Sequence, residues 1–358
     1  MGAVDSSYDV VVIGAGQAGL AMGRELAARG FRFTILEAGA GPGSAWLDRW
    51  DSLRLFTAAE HDGLPGAAFP GPRGSCPTAR EVAAYLHDYA RKFALPVAHH
   101  SPVKRLVRTP RGFDILLPEA TLQATSVVVA TGTNQRPAVP PGAVGLRQET
   151  TQLHSSGYRN PGAFPGRHTL VVGYGTSGAQ IALELAAERR VSIAGRPTIH
   201  VPDFVFRHAG GAYWNMVHRV LTLDTPIGRR AASGFLDRGA PLIGTAPADL
   251  RDAGITAVPR FAGTRGGLPL LADGSTLDVD SILWATGYRP DYSWIDGLVT
   301  DARGWPAAPR GVSAEDPGLY FLGIPFQYSL TSGLLGGVGR DAEHIARNLV
   351  PAVARTRP

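Results

Sequence analysis

The chain has 358 residues, a formal net charge of +5 and an apolar content of 44%, which suits a globular protein with a large core and predicts two domains. No apolar run reaches the ~20 residues of a membrane-spanning helix, and the first apolar run leads into a glycine turn rather than a leader-peptide cleavage site. The arginines are dispersed and do not alternate with aromatics. We therefore expect a cytoplasmic protein that neither spans a membrane nor binds nucleic acid.

The first predicted element is a strand, VVVI at residues 10–13, that runs into the turn GAGQAG and then into a helix with apolar residues at helical spacing. In such a turn the first glycine permits the tight bend, the second lets the backbone approach a pyrophosphate, and the third lets the helix pack on the strand. The helix N-terminus then offers N–H groups and the positive end of its dipole to phosphates. We assign to this site Gly14, Gly16, Gln17, Ala18 and Gly19.

The same unit occurs a second time. The strand LVV is followed by the turn GYGTSG and the helical stretch QIALELAAE. A lone glycine turn is weak evidence, but two complete strand–turn–helix–strand units are strong evidence for two dinucleotide sites. The glycines of the second turn are Gly173, Gly175 and Gly178.

The second strand of each unit, FRFTILE or RVSIAGR, ends in a residue of opposite charge. Glu37 and Arg196 occupy the same offset from the third glycine of their turns. A carboxylate there accepts hydrogen bonds from a ribose 2′-OH and repels a 2′-phosphate, whereas an arginine pairs with that phosphate. The first site should therefore hold FAD or NAD, and the second should prefer NADPH, unless Arg196 is merely a surface arginine.

Two strand ends repeat as well. TSVVVATGTNQRP at 125–137 and DSILWATGYRP at 280–290 share Ala-Thr-Gly followed by Arg-Pro. We expect each to close one nucleotide unit where the chain crosses between domains. The first of these ends adds to the cofactor site Ala130, Thr131 and Gly132.

Residues 200–245 carry bulky apolar side chains at helical spacing. We predict a helical pair packed on the second unit, and the alternative is a lid that lines a substrate path. The residues that set the spacing are Tyr213, Met216, Val217 and Val220.

Over nearly its whole length the sequence resembles the class B flavoprotein monooxygenases, which include the bacterial and plant flavin-containing monooxygenases. The matching stretches are GAGQAG, AWLDRWDSLRLFT, ATGTNQRP, GYGTSGAQIALELA and WATGYRP. The resemblance implies an α/β fold of two Rossmann-like domains, an FAD-binding domain at 1–152 and 286–358 interrupted by an NADPH-binding domain at 153–285 with a helical insertion around 200–245. By the same resemblance Trp46 would lie near the flavin, Val103 near the adenine, and Thr176 and Ser177 near the NADPH phosphates, although Trp46 could equally be core and Val103 a strand residue.

The sequence departs from the family at two places. Where the family fingerprint has Phe and Gly before its histidine, Gln148 and Thr150 stand here, which disfavours a Baeyer–Villiger enzyme. Ala58 replaces the asparagine that the animal enzymes carry near the flavin.

The resemblance implies that NADPH reduces FAD, and that a C4a-hydroperoxyflavin formed with O2 transfers one oxygen atom to a small organic substrate by N- or S-oxygenation or a related reaction. We predict no catalytic side chain and no metal. A disulfide reductase is excluded, because Cys76 is the only cysteine. An NADPH reductase that serves a quinone, ferredoxin or small acceptor stays open, as do a non-enzymatic sensor and assembly as a homodimer.

Overall fold

The computed structural model describes residues 7–238 and 241–349. The ends of the predicted FAD-binding domain, 1–6 and 350–358, and residues 239–240 of the predicted helical insertion lie outside the described residues. Within the described ranges, no helix combines the length and apolarity that crossing a membrane requires.

The strands form two large sheets and two short ladders. Strands β1–β8 are Ser7–Ile13, Phe33–Leu36, Val97–Ala98, Arg105–Thr109, Gly112–Leu116, Thr121–Val129, Arg136–Pro137 and Thr151–His154. Strands β9–β16 are His168–Val172, Arg190–Ala194, Thr256–Val258, Phe261–Arg265, Leu268–Leu271, Ser281–Trp284, Tyr288–Arg289 and Leu319–Phe321. Helices α1–α8 are Gln17–Ala28, Ser44–Leu47, Ala79–Lys92, Thr176–Ala186, Asp203–Val220, Pro226–Arg238, Pro247–Asp252 and Val338–Asn348.

The first sheet has the order β3-β2-β1-β6-β5-β4, and β16 also pairs with β6. Strands β3, β2, β1, β6 and β16 are parallel, while β5 and β4 form an antiparallel extension. Strand β1 is buried from Val10 to Ile13, as a strand between two parallel neighbours should be. Helices α1, α3 and α8 pack their apolar residues on one face of this sheet, where Leu20, Leu86 and Ile345 are fully buried.

The second sheet has the order β11-β10-β9-β14-β8 and is parallel throughout. Its central strand, β9, is flanked by β10, which follows helix α4, and by β14. The chain thus leaves the first sheet after β6, builds the second, and returns to the first through β16. The predicted fold class, two dinucleotide-binding domains with the first interrupted by the second, is confirmed.

The residues between β10 and α7 form the helical pair α5 and α6, as the apolar spacing predicts. On α5 the buried face runs through Trp214 and Val217, whereas Met216 is 43% exposed, so the expectation that Met216 packs is wrong. Trp214 and Val217 pack with Phe56, Leu330 and Leu334, which precede and follow the second sheet in sequence. Helix α5 was expected to pack on the second unit, but its buried face packs on Phe56, Leu330 and Leu334 of the predicted FAD-binding segments as well as on Val201 and Ile243.

Candidate functional site

The first glycine of each turn packs against the strand end of its own unit. Gly14 has φ +106° and Gly173 has φ +111°, a region that strongly favours glycine. A Cβ on Gly14 would lie 2.6 Å from the Ala130 carbonyl oxygen, and one on Gly173 would lie 2.2 Å from that of Ala285. This contact explains why the glycine turn and the Ala-Thr-Gly strand end repeat together in the sequence.

The second and third glycines differ in what surrounds them. A Cβ on Gly19 would lie 1.8 Å from the Gly14 oxygen, and one on Gly178 would lie 2.0 Å from the Gly173 oxygen. Gly16 and Gly175 face open space, with no atom within 4 Å of an added Cβ. Both turns thus have the tight bend, the close packing of helix on strand, and the open middle position that a pyrophosphate requires.

The two crossings between the halves of the chain pair with one another. Strand β7 follows the first Ala-Thr-Gly and β15 follows the second, and they form a short antiparallel ladder with Arg136 opposite Arg289. Beside this ladder the Thr286 hydroxyl donates a hydrogen bond to the Ala138 carbonyl. The repeated Arg-Pro ends therefore pair with each other where the chain passes between the two large sheets, which is where crossings were expected.

One cavity of about 630 Å³ reaches from the first turn to the N-terminus of α4 in the second unit. The predicted site residues that line it are Gly14, Gly16, Gln17, Ala18, Glu37, Trp46, Val103, Ala130, Thr131, Gly132, Thr176 and Ser177. The remaining predicted residues, Gly19, Gly173, Gly175, Gly178 and Arg196, are not part of its wall. We call this space the cofactor cavity.

Glu37 is held in place by the turn that it faces. Its carboxylate accepts hydrogen bonds from the backbone N–H groups of Ala15 and Gly39, each at 2.8 Å, and from the Ser44 hydroxyl at 3.4 Å. A carboxylate offers about four acceptor positions, so one remains for a ribose hydroxyl in the cavity.

Trp46 joins three segments of the cavity wall. Its indole N–H donates to the Gln17 side-chain oxygen at 3.4 Å, and the Gln17 amide donates to the Gly333 carbonyl at 3.3 Å. The first turn, the segment after Glu37 and the segment before α8 are thereby tied together.

Arg196 lies just beyond the end of β10 and is exposed. Among the described residues it has no hydrogen-bond or ion-pair partner, so its charge is available to a ligand. Thr176, at the start of α4, donates its hydroxyl to the Pro241 carbonyl at 3.1 Å.

Several residues of the cavity wall were not predicted from the sequence. Arg49, Arg54 and Phe56 belong to the stretch AWLDRWDSLRLFT, from which only Trp46 was chosen. Gly333 and Val338 come from the distant C-terminal segment. The first group could have been found from the resemblance, whereas nothing in the local pattern marks the second.

The sequence matches the pyridine nucleotide-disulphide oxidoreductase family over residues 11–201. The chain belongs to this family. It is 38% identical over 344 residues to an uncharacterized CzcO-like oxidoreductase from Geobacillus kaustophilus, which covers 96% of this chain and 98% of the relative. The indole-3-pyruvate monooxygenase YUCCA8 of rice (Oryza sativa subsp. japonica) is 30% identical over 396 residues, which covers 95% of this chain and 90% of the relative.

Among solved structures, the flavin-containing monooxygenase from Stenotrophomonas maltophilia superimposes with a TM-score of 0.78 at 30% identity, over 96% of this chain and 98% of that one. The resemblance to flavin monooxygenases is thereby confirmed. The protein is an oxidoreductase of the flavin monooxygenase type, with a flavin and a pyridine nucleotide as its cofactors.

The enzyme has a second cavity, of about 370 Å³, between the segment 57–63, helix α5 and the segment 331–337. In its wall the Thr57 hydroxyl donates to Asp62 Oδ1 at 2.6 Å. Asp62 is only 1% exposed, and its Oδ2 has no partner among the described residues. Burial raises the pKa of Asp62 to about 6, helped by the nearby charge of Glu60 and opposed by the Thr57 hydrogen bond.

Asp62→Asn is expected to stabilise the enzyme at neutral pH. Because the folded-state pKa of about 6 lies above the unfolded value of about 3.8, the folded state binds the proton more tightly. Ionisation therefore lowers the free energy of unfolding as the pH rises from about 4 to 6, and the loss, about 2–3 kcal/mol, is complete above pH 6. The neutral variant avoids this loss, so its melting temperature should be ~2–3 °C higher at pH 7.5 and should rise by only about a third as much at pH 4.5.

The matched control is Asp88→Asn, since the Asp88 side chain is 70% exposed on α3. It should leave both melting temperatures within ~0.5 °C of the parent. In addition to burial, the charge of Glu60 raises the pKa of Asp62, and the charge of Asp62 in turn raises the pKa of Cys76 and of Tyr85. A stability change for Asp62→Asn that is equal at both pH values would contradict the assignment of the titration to Asp62.

Proposed function

We propose that the enzyme inserts one oxygen atom from O2 into a small organic substrate, by N- or S-oxygenation or a related reaction, at the expense of NADPH. One oxygen atom enters the substrate and the other leaves as water, while NADPH and one proton supply the two electrons and two protons. The observation that carries the proposal is the cofactor cavity, which Gly16 of the first turn and Ser177 of the second unit both line. Two nucleotides bound at these turns would share one enclosed space.

The residues of the first unit fit FAD. The open position at Gly16 admits a pyrophosphate, the N-terminus of α1 faces it, and Glu37 keeps an acceptor for the ribose. When bound, FAD would supply the chemistry of accepting electrons from NADPH and activating O2. We assign the FAD site to the turn at 14–19 with Glu37, Trp46, Val103 and Ala130–Gly132.

The residues of the second unit fit NADPH. The open position at Gly175 and the N-terminus of α4 would hold the pyrophosphate, and the guanidinium of Arg196 would hold the 2′-phosphate. Within this assignment, 1–152 and 286–358 form the FAD-binding domain and 153–285 the NADPH-binding domain.

The chain itself contributes position and exclusion of water rather than acid–base chemistry. Ionisable side chains are few in the described wall of the cofactor cavity: Glu37, Arg49 and Arg54. Glu37 is already held by backbone N–H groups, and an arginine does not release its proton at neutral pH. Trp46, Trp50 and Phe56 add large apolar side chains to the same wall, and apolar surface disfavours bound water.

The proposal is tested by oxygen uptake in the presence of NADPH with a panel of amines, sulfides and ketones, with peroxide measured in parallel. We expect at least one substrate to give product that carries one atom from ¹⁸O2, with NADPH, O2 and product near 1:1:1. If every NADPH consumed yields peroxide and no product, while a quinone or ferredoxin is reduced rapidly, the enzyme is a reductase and the proposal fails.

A further inference from the structure

The second cavity adjoins the cofactor cavity along two segments of the chain, where consecutive residues line the two spaces. Phe56 lines the cofactor cavity and the next residue, Thr57, lines the second cavity. In the C-terminal segment Gly333 lines the cofactor cavity and Leu334 lines the second cavity. The rings of Phe56 and Trp214 stack across this boundary, with centroids 6.4 Å apart and an interplanar angle of 25°. These two rings therefore stand between the two spaces.

The wall of the second cavity is aromatic and electronegative. Trp214 forms one side, with the His61 ring 6.4 Å from it. Glu60 lies at the rim, where the Gly74 backbone N–H donates to its carboxylate at 2.8 Å and holds the pKa of that carboxyl below its ordinary value. Among its described lining residues there is no lysine or arginine.

The other polar groups of this wall add acceptors rather than positive charge. The Thr57 hydroxyl donates its hydrogen bond to Asp62, so towards the cavity its oxygen can act only as an acceptor. Burial, with the nearby charge of Arg340, holds the pKa of His218 below its ordinary value, which keeps the imidazole neutral at pH 7.5. The Arg340 guanidinium is itself engaged, since it donates to the His218 carbonyl and the Ser329 hydroxyl and lies over the Tyr328 ring.

We infer that the second cavity binds an organic cation, an alkyl- or arylammonium group held by the Trp214 indole and the Glu60 carboxylate. The described lining offers a carboxylate ligand no lysine or arginine, whereas an ammonium group over an indole is attracted by the ring quadrupole. At about 370 Å³ the cavity accommodates a small aromatic amine.

The occupant is the amine substrate waiting behind the Phe56–Trp214 boundary, a point that rests on the proposed function. Gly211, Asn215 and Gly336 at the rim are exposed, so the ammonium form can release its proton to water. The freed lone pair then forms the N–O bond in the cofactor cavity, with the second oxygen atom of O2 leaving as water.

The test measures binding without turnover. Benzyltrimethylammonium has no lone pair and cannot be N-oxygenated, and phenylacetate is an anion of similar size. Titrated calorimetrically into the oxidised holoenzyme, benzyltrimethylammonium should bind once per chain and at least ~10-fold more tightly than phenylacetate. Failure of benzyltrimethylammonium to bind, or equal affinity for both probes, would overturn the inference.

Variants locate the site. Asn215→Lys places a cation at the exposed rim and should weaken benzyltrimethylammonium binding ~10-fold or more. Met216→Lys is the matched control on the adjacent exposed position, which does not line the cavity, and should change the affinity less than ~2-fold. Glu60→Gln, which keeps the acceptor for Gly74, should weaken binding ~5-fold. An equal effect of the two lysine variants would mean that the cation binds elsewhere.

Assays of oxygenation distinguish failure of this inference from failure of the proposed function. Benzyltrimethylammonium should inhibit oxygenation of benzyldimethylamine competitively, with an inhibition constant equal to its Kd. Binding at the second cavity without competition would refute the role of the amine as occupant. Thioanisole, which is neutral, tests oxygen transfer itself: if it is oxygenated while benzyltrimethylammonium does not bind, the proposed function stands and the inference falls.

Discussion

Gly16→Ala is expected to abolish tight FAD binding while leaving the fold of the enzyme intact. Gly16 has φ −76° and ψ −172°, which alanine adopts without strain, and its Cβ would meet no atom within 4 Å. The methyl group would instead occupy the cofactor cavity, where the pyrophosphate must approach the backbone. Loss of two charge-assisted hydrogen bonds, about 3 kcal/mol or more, corresponds to ~100-fold weaker FAD binding.

Gly175→Ala provides the matched experiment in the second unit. Gly175 also has an extended backbone, with φ −95° and ψ −176°, and an added Cβ meets nothing. This variant should stay yellow, with wild-type FAD content, and its KM for NADPH should rise ~100-fold. FAD affinity is measured by fluorescence titration of the apoprotein, and NADPH use by stopped-flow flavin reduction.

Two further glycines complete the design. Gly210→Ala on α5, where an added Cβ meets nothing and no cavity is lined, should behave like the parent. Gly19→Ala should fail to fold, since its Cβ would lie 1.8 Å from the Gly14 oxygen. Wild-type FAD affinity in Gly16→Ala, or loss of FAD from Gly175→Ala, would show that the two turns do not hold separate nucleotides.

The two nucleotide turns could be predicted from sequence because each requirement falls on a residue type that the sequence displays. Gly14 and Gly173 have positive φ, and Gly19 and Gly178 have no room for a Cβ. Only glycine meets these requirements, so they are visible in the sequence as glycines at fixed spacing. The Ala-Thr-Gly repeat follows from the packing of its alanine carbonyl on the first glycine. At these positions the residue type in the sequence directly reflects the contact made in the structure.

The rest of the site was not predictable because distant segments build it. Arg49 and Phe56 lie in a stretch that only the resemblance marks, and Gly333 reaches the cofactor cavity only through tertiary packing. On α5 the apolar periodicity is ambiguous, since Tyr213, Trp214, Met216 and Val217 are all apolar. Packing against Phe56 selects Trp214 and Val217 for burial, and the second cavity beside them leaves no signature in the sequence.

Arg196→Ala is expected to remove the preference of the enzyme for NADPH. The guanidinium is exposed at the end of β10 and has no partner in the described part of the chain, so removing it disturbs no internal contact. A charge-assisted pair with the 2′-phosphate contributes about 1.5–3 kcal/mol, so kcat/KM for NADPH should fall ~10–100-fold. The value for NADH, which lacks that phosphate, should change less than ~2-fold.

The control is Arg190→Ala, which removes an exposed arginine from the opposite end of β10 and should affect both coenzymes equally and weakly. An equal large loss for both coenzymes with Arg196→Ala would mean that this arginine does not recognise the phosphate.

Glu37 and Arg196 occupy equivalent positions in the two units but differ in their internal contacts. The acid is fixed by the N–H groups of Ala15 and Gly39, whereas Arg196 has no hydrogen-bond or ion-pair partner among the described residues. Arg196→Glu should therefore lower kcat/KM for NADPH more than Arg196→Ala does and should reverse the preference to NADH. A carboxylate there repels the 2′-phosphate and accepts a hydrogen bond from the 2′-OH.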